Sequence, residues 1–396
     1  MDRYILITGG EFYNKGAQAM TLITIDKMRQ KYPDRKIILF SGLDSKRSSR
    51  EKDNYKFEVL PFPHFGEAMS LMTGLLKNKY FNNENGKSYS RYREIFKNAD
   101  LLIDISGYAL GSSWGDSTNH AYLRRIMLAK HFRIPVYIMP QSLGPFEYTG
   151  RGGAVLNILI KHYLKYPRVI MAREQDGFDS LKSKYKLKNV IKTPDLVLQN
   201  TDIDLNNIFK NPIDTNGIEI KNGSVAIIPN SKNNKFGNQD ELLELYKDII
   251  NVLLSKGKTV YLMYHAVEDL AICKKIKSMF DNNESVTVIE KELNCIEFEN
   301  TVKHFDFVIA SRYHSIVHAY KQGVPAIVFG WAMKYRELTE MYSQQNFCFD
   351  VRCDIDKEKV LDAVVYLSEK CKDISENIKT VTCQVQKNNV FDYVNI

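Results

Sequence analysis

The chain has 396 residues, of which 44% are hydrophobic and 26% are charged, and its formal net charge is +8 at pH 7. This length predicts two domains with a core each, and this composition excludes a chain that is disordered throughout. The lysines are scattered rather than clustered, and no nucleic-acid-binding motif occurs. We therefore expect a small anionic ligand and no nucleic-acid partner.

The six cysteines all lie in the second half of the chain and form no C-x-x-C pair. The sequence has no signal-peptide pattern and no apolar window of about 18 residues. These features predict reduced thiols in a cytoplasmic protein. Its basic charge suits, at most, peripheral contact with the acidic inner face of a membrane.

The first half alternates short apolar runs, typical of buried parallel strands, with segments of helical periodicity. The predicted strands are 4–8, 36–40, 100–105, 136–139, 169–172 and 189–193. The predicted helices are 17–31, 68–77, 119–132 and 154–164. A polar run over 82–86, Asn-Asn-Glu-Asn-Gly, predicts a loop.

A polar stretch rich in Asn and Asp then predicts a linker, after which the strand–helix plan repeats. The predicted strands of the second half are 225–228, 259–263, 286–289, 305–310 and 324–329, and its last helix is 357–374. We therefore predict an α/β protein with two Rossmann-like domains that face a central cleft. The predicted parts are a first domain (1–198), a linker (199–223), a second domain (224–370) and a C-terminal tail (371–396).

The most informative segment is Ser311-Arg312-Tyr313-His314, which lies between a predicted strand and a predicted helix. Ligands of open α/β sheets bind where strands end and helices begin. A helix N-terminus and an arginine suit a phosphate or carboxylate, and a histidine can transfer a proton near neutral pH. The alternative is a solvated Arg/His pair without a function.

Other polar residues lie near the carboxyl ends of predicted strands or in the segments that follow them. In the first domain they are Asn14, Lys15, Gln18, Asp104, Ser106, Tyr108, Gln141 and Arg173. In the second domain they are His265, Arg312, His314 and Lys334. The loop before Gln18 lacks the G-x-G-x-x-G fingerprint, so it predicts either a ligand loop or an ordinary glycine-rich turn. Together, the faces of the two domains that line the predicted cleft contain several cationic side chains, which favours a small dianion as the ligand.

These motifs resemble the polysaccharide pyruvyl transferase family. The resemblance is carried by Asn14-Lys15-Gly16-Ala17-Gln18-Ala19, Asp104 to Gly107, Arg173-Glu174, Pro194-Asp195, Ser311 to His314 followed by G-V-P-A-I, and Lys334. It implies a GT-B-like fold and transfer of the enolpyruvyl unit of phosphoenolpyruvate to two sugar hydroxyls. The product would be a cyclic pyruvate ketal on a bacterial-type surface polysaccharide, such as a capsule or exopolysaccharide, or on a lipid-linked precursor.

The resemblance also implies roles for the predicted residues. Phosphoenolpyruvate would be bound by Arg173, Arg312, His314, Lys334 and His265, and the sugar acceptor by Asn14, Lys15, Gln18, Ser106, Tyr108 and Gln141. His314 would be the general acid, Arg312 would assist it, and Asp104 would be the base. No metal or other cofactor is expected. One departure is Gly107-Tyr108-Ala109-Leu110-Gly111, where the family usually has a run of glycines.

Two other functions fit the same fold. The first is a GT-B glycosyltransferase that uses a nucleotide sugar, which predicts nucleotide diphosphate binding in the second domain. The second is a non-catalytic glycan-binding protein.

Overall fold

The computed structural model of the protein describes residues 2–81, 88–235 and 237–396. Within these residues the chain forms two parallel β-sheets, each flanked by helices. The loop that was predicted over 82–86 lies outside the described residues. Among the described helices, none combines the length and the apolar character that a membrane span requires.

The first sheet contains eight strands in the part of the chain that the structure describes. They are β1 (Tyr4–Thr8), β2 (Lys36–Phe40), β3 (Glu58–Leu60), β4 (Ala99–Asp104), β5 (Tyr108–Leu110), β6 (Val136–Leu143), β7 (Val169–Ala172) and β8 (Val190–Lys192). Their spatial order is β3-β2-β1-β4-β6-β7-β8, and the short β5 pairs with β6.

The helices of this first unit connect its strands. They are α1 (Lys15–Lys31), α2 (Ser49–Asp53), α3 (Phe65–Thr73), α4 (Lys77–Tyr80), α5 (Tyr89–Lys97), α6 (Gly115–His131), α7 (Gly150–Tyr163), α8 (Gln175–Ser183) and α9 (Leu196–Gln199).

The second sheet contains six strands in the described residues. They are β9 (Ser224–Ile228), β10 (Thr259–Leu262), β11 (Val286–Val288), β12 (Phe307–Ala310), β13 (Ala326–Gly330) and β14 (Cys348–Asp350). Their order is β11-β10-β9-β12-β13-β14. The helices of this unit are α10 (Gln239–Ser255), α11 (Leu270–Lys277), α12 (Cys295–Val302), α13 (Tyr313–Lys321), α14 (Met333–Met341) and α15 (Lys357–Val385).

The central strands are buried on both faces, which accounts for their continuous apolar sequences. In β1, for example, every residue is buried, and Ile7 pairs in register with Leu39 of β2 and Ile103 of β4. Helices cover both faces of such a sheet. In each sheet the strand order reverses once, between β1 and β4 and between β9 and β12. Ligands of open α/β sheets bind at these switch points.

Several helices differ from their predicted bounds, since α6 and α7 each begin four residues earlier than predicted, and two others differ in a way that the structure explains. The helix predicted over 68–77 is divided into α3 and α4, because Gly74 ends α3 in a left-handed conformation (φ 74°). The last helix, predicted to end near residue 374, continues to Val385 because Ile374 and Ile378 extend its buried stripe. The chain then returns to the first unit, where the Lys31 amine donates to the carbonyl of Val394 (2.6 Å).

Candidate functional site

The carboxyl ends of the two sheets meet at an interface between the two units. Behind β1, Asn14 forms an isolated bridge with Ala266, which follows β10. Behind β7, the Arg173 guanidinium lies 4.5 Å from the ring centroid of Tyr313, which begins α13. Several of the predicted residues of the two domains, such as Lys15, Arg173 and Lys334, therefore contact the other unit across this interface.

His314 lies at the centre of the interface, in the first turn of α13. A Cβ atom at Gly16 would overlap its ring, so the start of α1 can approach the imidazole only because position 16 is a glycine. On the other side, His314 Nε2 lies 3.6 Å from Oδ2 of Asp195, at ion-pair distance. Burial lowers the pKa of His314 and outweighs the opposing effect of Asp195, so the imidazole is neutral near pH 7.

Asp195 links His314 to Arg173. Its buried carboxylate caps α9 by accepting from the backbone N–H of Val197 (2.8 Å), and it accepts from Arg173 Nη1 (2.6 Å). Burial alone would raise the pKa of Asp195, but His314 and Arg173 hold it well below its usual range. Asp195 was not among the predicted site residues, although the Pro194-Asp195 motif after β8 was a signal for it.

Arg173 is the anchor of this cluster. Its Nη2 donates to Ser142 Oγ (2.7 Å) and to the carbonyl of Gly107 (3.1 Å), and Ser142 in turn donates to Glu174 (2.9 Å). Its side chain is only 3% exposed. The guanidinium is therefore held rigidly, and its ion pair with Asp195 is desolvated rather than screened by water.

Lys334 lies next to Arg173, within a group of aromatic rings. Its Nζ lies 5.1 to 5.4 Å from the ring centroids of Tyr108, Tyr313, Trp331 and Tyr335. Burial, with a further contribution from the Arg173 charge, lowers the pKa of Lys334 to about 7. Together with Arg173, Asp195 and Tyr313, it lines a cavity of about 330 Å³. This cavity brings cationic nitrogens close to the Asp195–His314 pair.

Arg312, in contrast, is a cation that forms ion pairs with two carboxylates of the second unit. Its Nε and Nη2 donate to the two oxygens of Asp269 (2.8 and 2.7 Å), and Nη2 also donates to Glu268 (2.9 Å). Asp269 is fully buried and also accepts from the backbone N–H of Ser231 (2.9 Å). Only Nη1 of Arg312 has no hydrogen bond to the described residues. Asp269 was not predicted; it lies at the end of the 3₁₀ turn Val267–Asp269, away from a strand end.

Asp104 belongs to a separate network in the first unit. Its Oδ2 accepts from Arg125 (2.7 Å) and Thr8 (2.7 Å). Its Oδ1 accepts from the backbone N–H of Ser106 (3.2 Å) and from Gln141 (3.4 Å). A carboxylate offers about four acceptor positions. Asp104 is therefore saturated with hydrogen bonds, and Arg125 is a partner that the sequence did not reveal.

The three residues predicted in the loop after β1 join the two units. Asn14 caps α1 by accepting from the backbone N–H of Gly16 (3.0 Å). The Lys15 amine donates to the carbonyl of His265 (3.1 Å), and Gln18 accepts from the backbone N–H of Cys295 (2.7 Å). Burial lowers the pKa of Lys15 to about 8.

His265 is predicted to bind phosphoenolpyruvate, and the structure places it behind His314. The two rings are stacked with centroids 6.5 Å apart. Neither ring nitrogen of His265 has a hydrogen-bond partner in the described residues. Burial, with the Lys15 charge, holds the pKa of His265 well below its usual range. The histidine is therefore a neutral ring that supports His314 from behind.

A second, larger cavity of about 710 Å³ is lined by Lys15 and Gln18. Its wall contains neighbouring aromatic rings: Tyr55 is stacked on Phe12 with centroids 5.6 Å apart, and Phe209 is tilted against Tyr55 with centroids 5.9 Å apart. Its rim contains polar side chains without a hydrogen bond or ion pair in the described residues: Tyr13, Arg50, Asp53 and Glu292. Rings beside unpaired polar groups suit a molecule with both apolar and hydroxyl-bearing faces.

No metal centre is apparent in the part of the chain that the structure describes. There, no three His, Cys, Asp or Glu side chains are arranged to hold an ion. All six cysteines are unpaired, and three of them are buried.

Solved structures with the same architecture define the class of fold. The UDP-GlcNAc 2-epimerase of Methanocaldococcus jannaschii is 16% identical, with a TM-score of 0.54, 97% of this chain covered and 100% of that one. The S. aureus MnaA–UDP structure is 11% identical (TM-score 0.57, 99% and 94% covered). Medicago truncatula UGT71G1 with UDP-glucose is 12% identical (TM-score 0.55, 99% and 95% covered). The protein therefore has the GT-B fold that glycosyltransferases and these epimerases share, with an ionic site between its units.

The sequence family is more specific than the fold. The model of the polysaccharide pyruvyl transferase family matches residues 14–332. This match covers most of the chain, including Asn14, Arg173, Asp195 and His314. The chain belongs to the polysaccharide pyruvyl transferase family. No curated protein matches it.

Proposed function

We propose that this transferase moves the enolpyruvyl unit of phosphoenolpyruvate onto two hydroxyls of one sugar and forms a cyclic ketal. The observation that carries the proposal is the position of the Asp195–His314 pair, which spans the two units beside Arg173 and Lys334. A proton-transfer residue next to desolvated cations suits a reaction that protonates an anionic enol ester and releases phosphate.

Lys334 and Arg173 supply the positive charge that the donor needs. Phosphoenolpyruvate carries a phosphate and a carboxylate, and Lys334 faces the 330 Å³ cavity without an ion pair to the described residues. Arg312 adds charge through Nη1, the one nitrogen of its guanidinium that Asp269 and Glu268 leave free. These three cations stabilise the departing phosphate, so we propose that the reaction uses no metal or other cofactor.

His314 transfers the protons. The negative donor raises the pKa of the imidazole on binding, and Asp195 stabilises the imidazolium. The imidazolium protonates the methylene carbon, the first hydroxyl attacks the adjacent carbon, and the hydroxyl proton returns to His314. The imidazolium then protonates the oxygen that bridges this carbon and the phosphate. The carbon–oxygen bond breaks and hydrogen phosphate leaves. The second hydroxyl attacks the same carbon and gives its proton to His314. Both hydroxyl protons are accounted for, one in the new methyl group and one on phosphate.

The 710 Å³ cavity is our proposed acceptor site. It contains Lys15 and Gln18, which the sequence predicts for the acceptor, and Lys15 is followed by the glycine that touches His314. A sugar ring can lie against Tyr13 or Tyr55 while its hydroxyls bind Arg50, Asp53 or Glu292. We place the reaction in the cytoplasm, where the unpaired cysteines stay reduced. The acceptor we propose is a surface-polysaccharide precursor presented at the inner face of the membrane.

A thermal-shift titration with phosphoenolpyruvate and UDP tests this donor assignment. We expect phosphoenolpyruvate, and not UDP, to stabilise the wild type, and Lys334→Met to abolish that stabilisation. Lys192→Met is the matched control, because Lys192 lines the same cavity but pairs with Glu337 (3.2 Å) outside the aromatic group. Stabilisation by UDP alone would contradict the proposal and support a glycosyltransferase. Stabilisation by neither ligand would support a glycan-binding protein.

A further inference from the structure

An exposed apolar surface lies on the first unit, and its residues line neither of the two cavities. It is formed by α3, the turn after it and the start of α4. Four of its side chains are far more exposed than apolar residues usually are: Phe65 (65%), Met69 (37%), Leu75 (66%) and Leu76 (61%). We call these four residues the apolar surface. Large apolar side chains concentrated within twelve residues mark an interaction site.

The helix α3 is apolar on two opposite faces. Ala68 and Leu71 are buried and join the core of the first unit. Phe65 and Met69 are four residues apart, so they lie on one face, and that face is turned to solvent. The second apolar face therefore has no partner among the described residues.

The turn between the two helices displays a pair of leucines. Gly74 ends α3 and Leu76 adopts a left-handed conformation (φ 52°), which a leucine rarely adopts. Leu75 and Leu76 are each more than 60% exposed, so they protrude from the surface rather than line a groove. A protruding apolar turn is better suited to insertion into a lipid bilayer than to binding in the rigid pocket of another protein.

The charges around the apolar surface indicate a partner that is negatively charged. Lys77 and Lys79 are exposed directly beside the leucines. Between residues 62 and 81 the only acidic residue is Glu67, which is buried, so all exposed formal charges there are positive. Apolar side chains flanked by lysines match the interface of an anionic bilayer, where the chains insert and the amines meet the headgroups.

We propose that the apolar surface docks the protein onto anionic membranes. The position of the surface agrees with this partner. Helix α3 packs on α6, which begins after Trp114, and the Trp114 ring contacts Tyr108 of the Lys334 group (centroids 5.0 Å apart). Docking would therefore hold the catalytic interface close to a bilayer. The proposal goes beyond the chemistry proposed above and does not depend on it.

Vesicle co-sedimentation of the full chain tests the proposal. We expect binding to vesicles that contain phosphatidylglycerol, and little binding to vesicles of phosphatidylcholine alone. The Leu75→Glu/Leu76→Glu variant should bind the anionic vesicles about tenfold more weakly, because it removes inserted apolar area and adds repulsion. Lys77→Gln/Lys79→Gln should weaken binding less and reduce its dependence on salt.

The matched control is Val155→Glu/Ile158→Glu on α7, because Val155 and Ile158 are also exposed apolar residues (51% and 67%). This variant should bind as the wild type does. All the changed side chains are exposed, and a thermal melt of each variant verifies that it is folded. An absence of wild-type binding, equal binding to neutral vesicles, or an equal loss in the α7 variant would overturn the proposal. The vesicles contain no donor or acceptor, so these outcomes leave the proposed reaction untouched.

Discussion

Asp195 and Asp104 are two similar carboxylates with different surroundings. Both are buried, both follow a strand of the first sheet or end one, and both accept 2.6 to 2.7 Å hydrogen bonds from an arginine. Asp104 accepts all of its hydrogen bonds from its own unit, from Thr8, Ser106, Gln141 and Arg125. Asp195 also faces His314 on the other unit. Contact across the interface, rather than burial or ion pairing, is what distinguishes Asp195 from Asp104, and on this ground we propose Asp195 for the site.

The largest expected effect is that of His314→Gln. It should lower turnover about a thousandfold, because proton transfer by a positioned side chain contributes about 10²–10⁴. Phosphate release in the presence of a glycan acceptor measures turnover, and thermal shift verifies that phosphoenolpyruvate still binds. His131→Gln, an exposed histidine at the end of α6, is the control. Unchanged turnover of His314→Gln would remove the proton-transfer role.

Arg312→Ala extends the comparison to an ion pair in the second unit. It should lower the free energy of unfolding by about 3 kcal/mol or more, because it leaves the fully buried Asp269 without its counter-charge. Denaturant titration measures this change. Arg336→Ala breaks an exposed pair with Glu340 and should cost less than about 1 kcal/mol. Equal stability of the two variants would show that the Arg312–Asp269 pair is dispensable.

Lys334 should make donor binding depend on pH. Its pKa is lowered to about 7, so the amine is charged below that pH and loses its charge above it. We therefore expect the KM for phosphoenolpyruvate to rise as pH increases through about 7. Lys334→Arg should remove this rise, because an arginine stays charged over the whole range. A KM that rises equally in both proteins would assign the titration to another group.

The smallest expected effect is that of Asp104→Asn. Because the hydrogen bonds of Asp104 are all made within the first unit, we expect turnover to stay within about threefold of the wild type. The free energy of unfolding should fall, since Arg125 loses its counter-charge. A folded variant with turnover reduced about a hundredfold would instead make Asp104 the general base, as the sequence predicts.

The sequence predicted two α/β domains and most central strands, because continuous apolar runs such as those of β1 and β12 are typical of strands buried on both faces. The GT-B-like fold was implied by the family resemblance. It missed the short β3, β5 and β14, which contain three residues each. Positions at strand ends predicted several residues that lie at the interface, such as Lys15, Arg173 and His314, but not Asp195. The ion-pair partners of the charged side chains could not be predicted. Whether Arg312 binds a ligand or Asp269 depends on contacts between distant segments of the chain, which no local sequence pattern records.

The central claim is that Asp195 and His314 act together on the donor. An NMR titration of the His314 ring, in the wild type and in Asp195→Asn, tests it most directly. In the free wild type we predict a His314 pKa below the ordinary value, as burial dictates. Phosphoenolpyruvate should raise this pKa, and the rise should be smaller in Asp195→Asn. A His314 pKa that does not change when phosphoenolpyruvate binds would contradict the account.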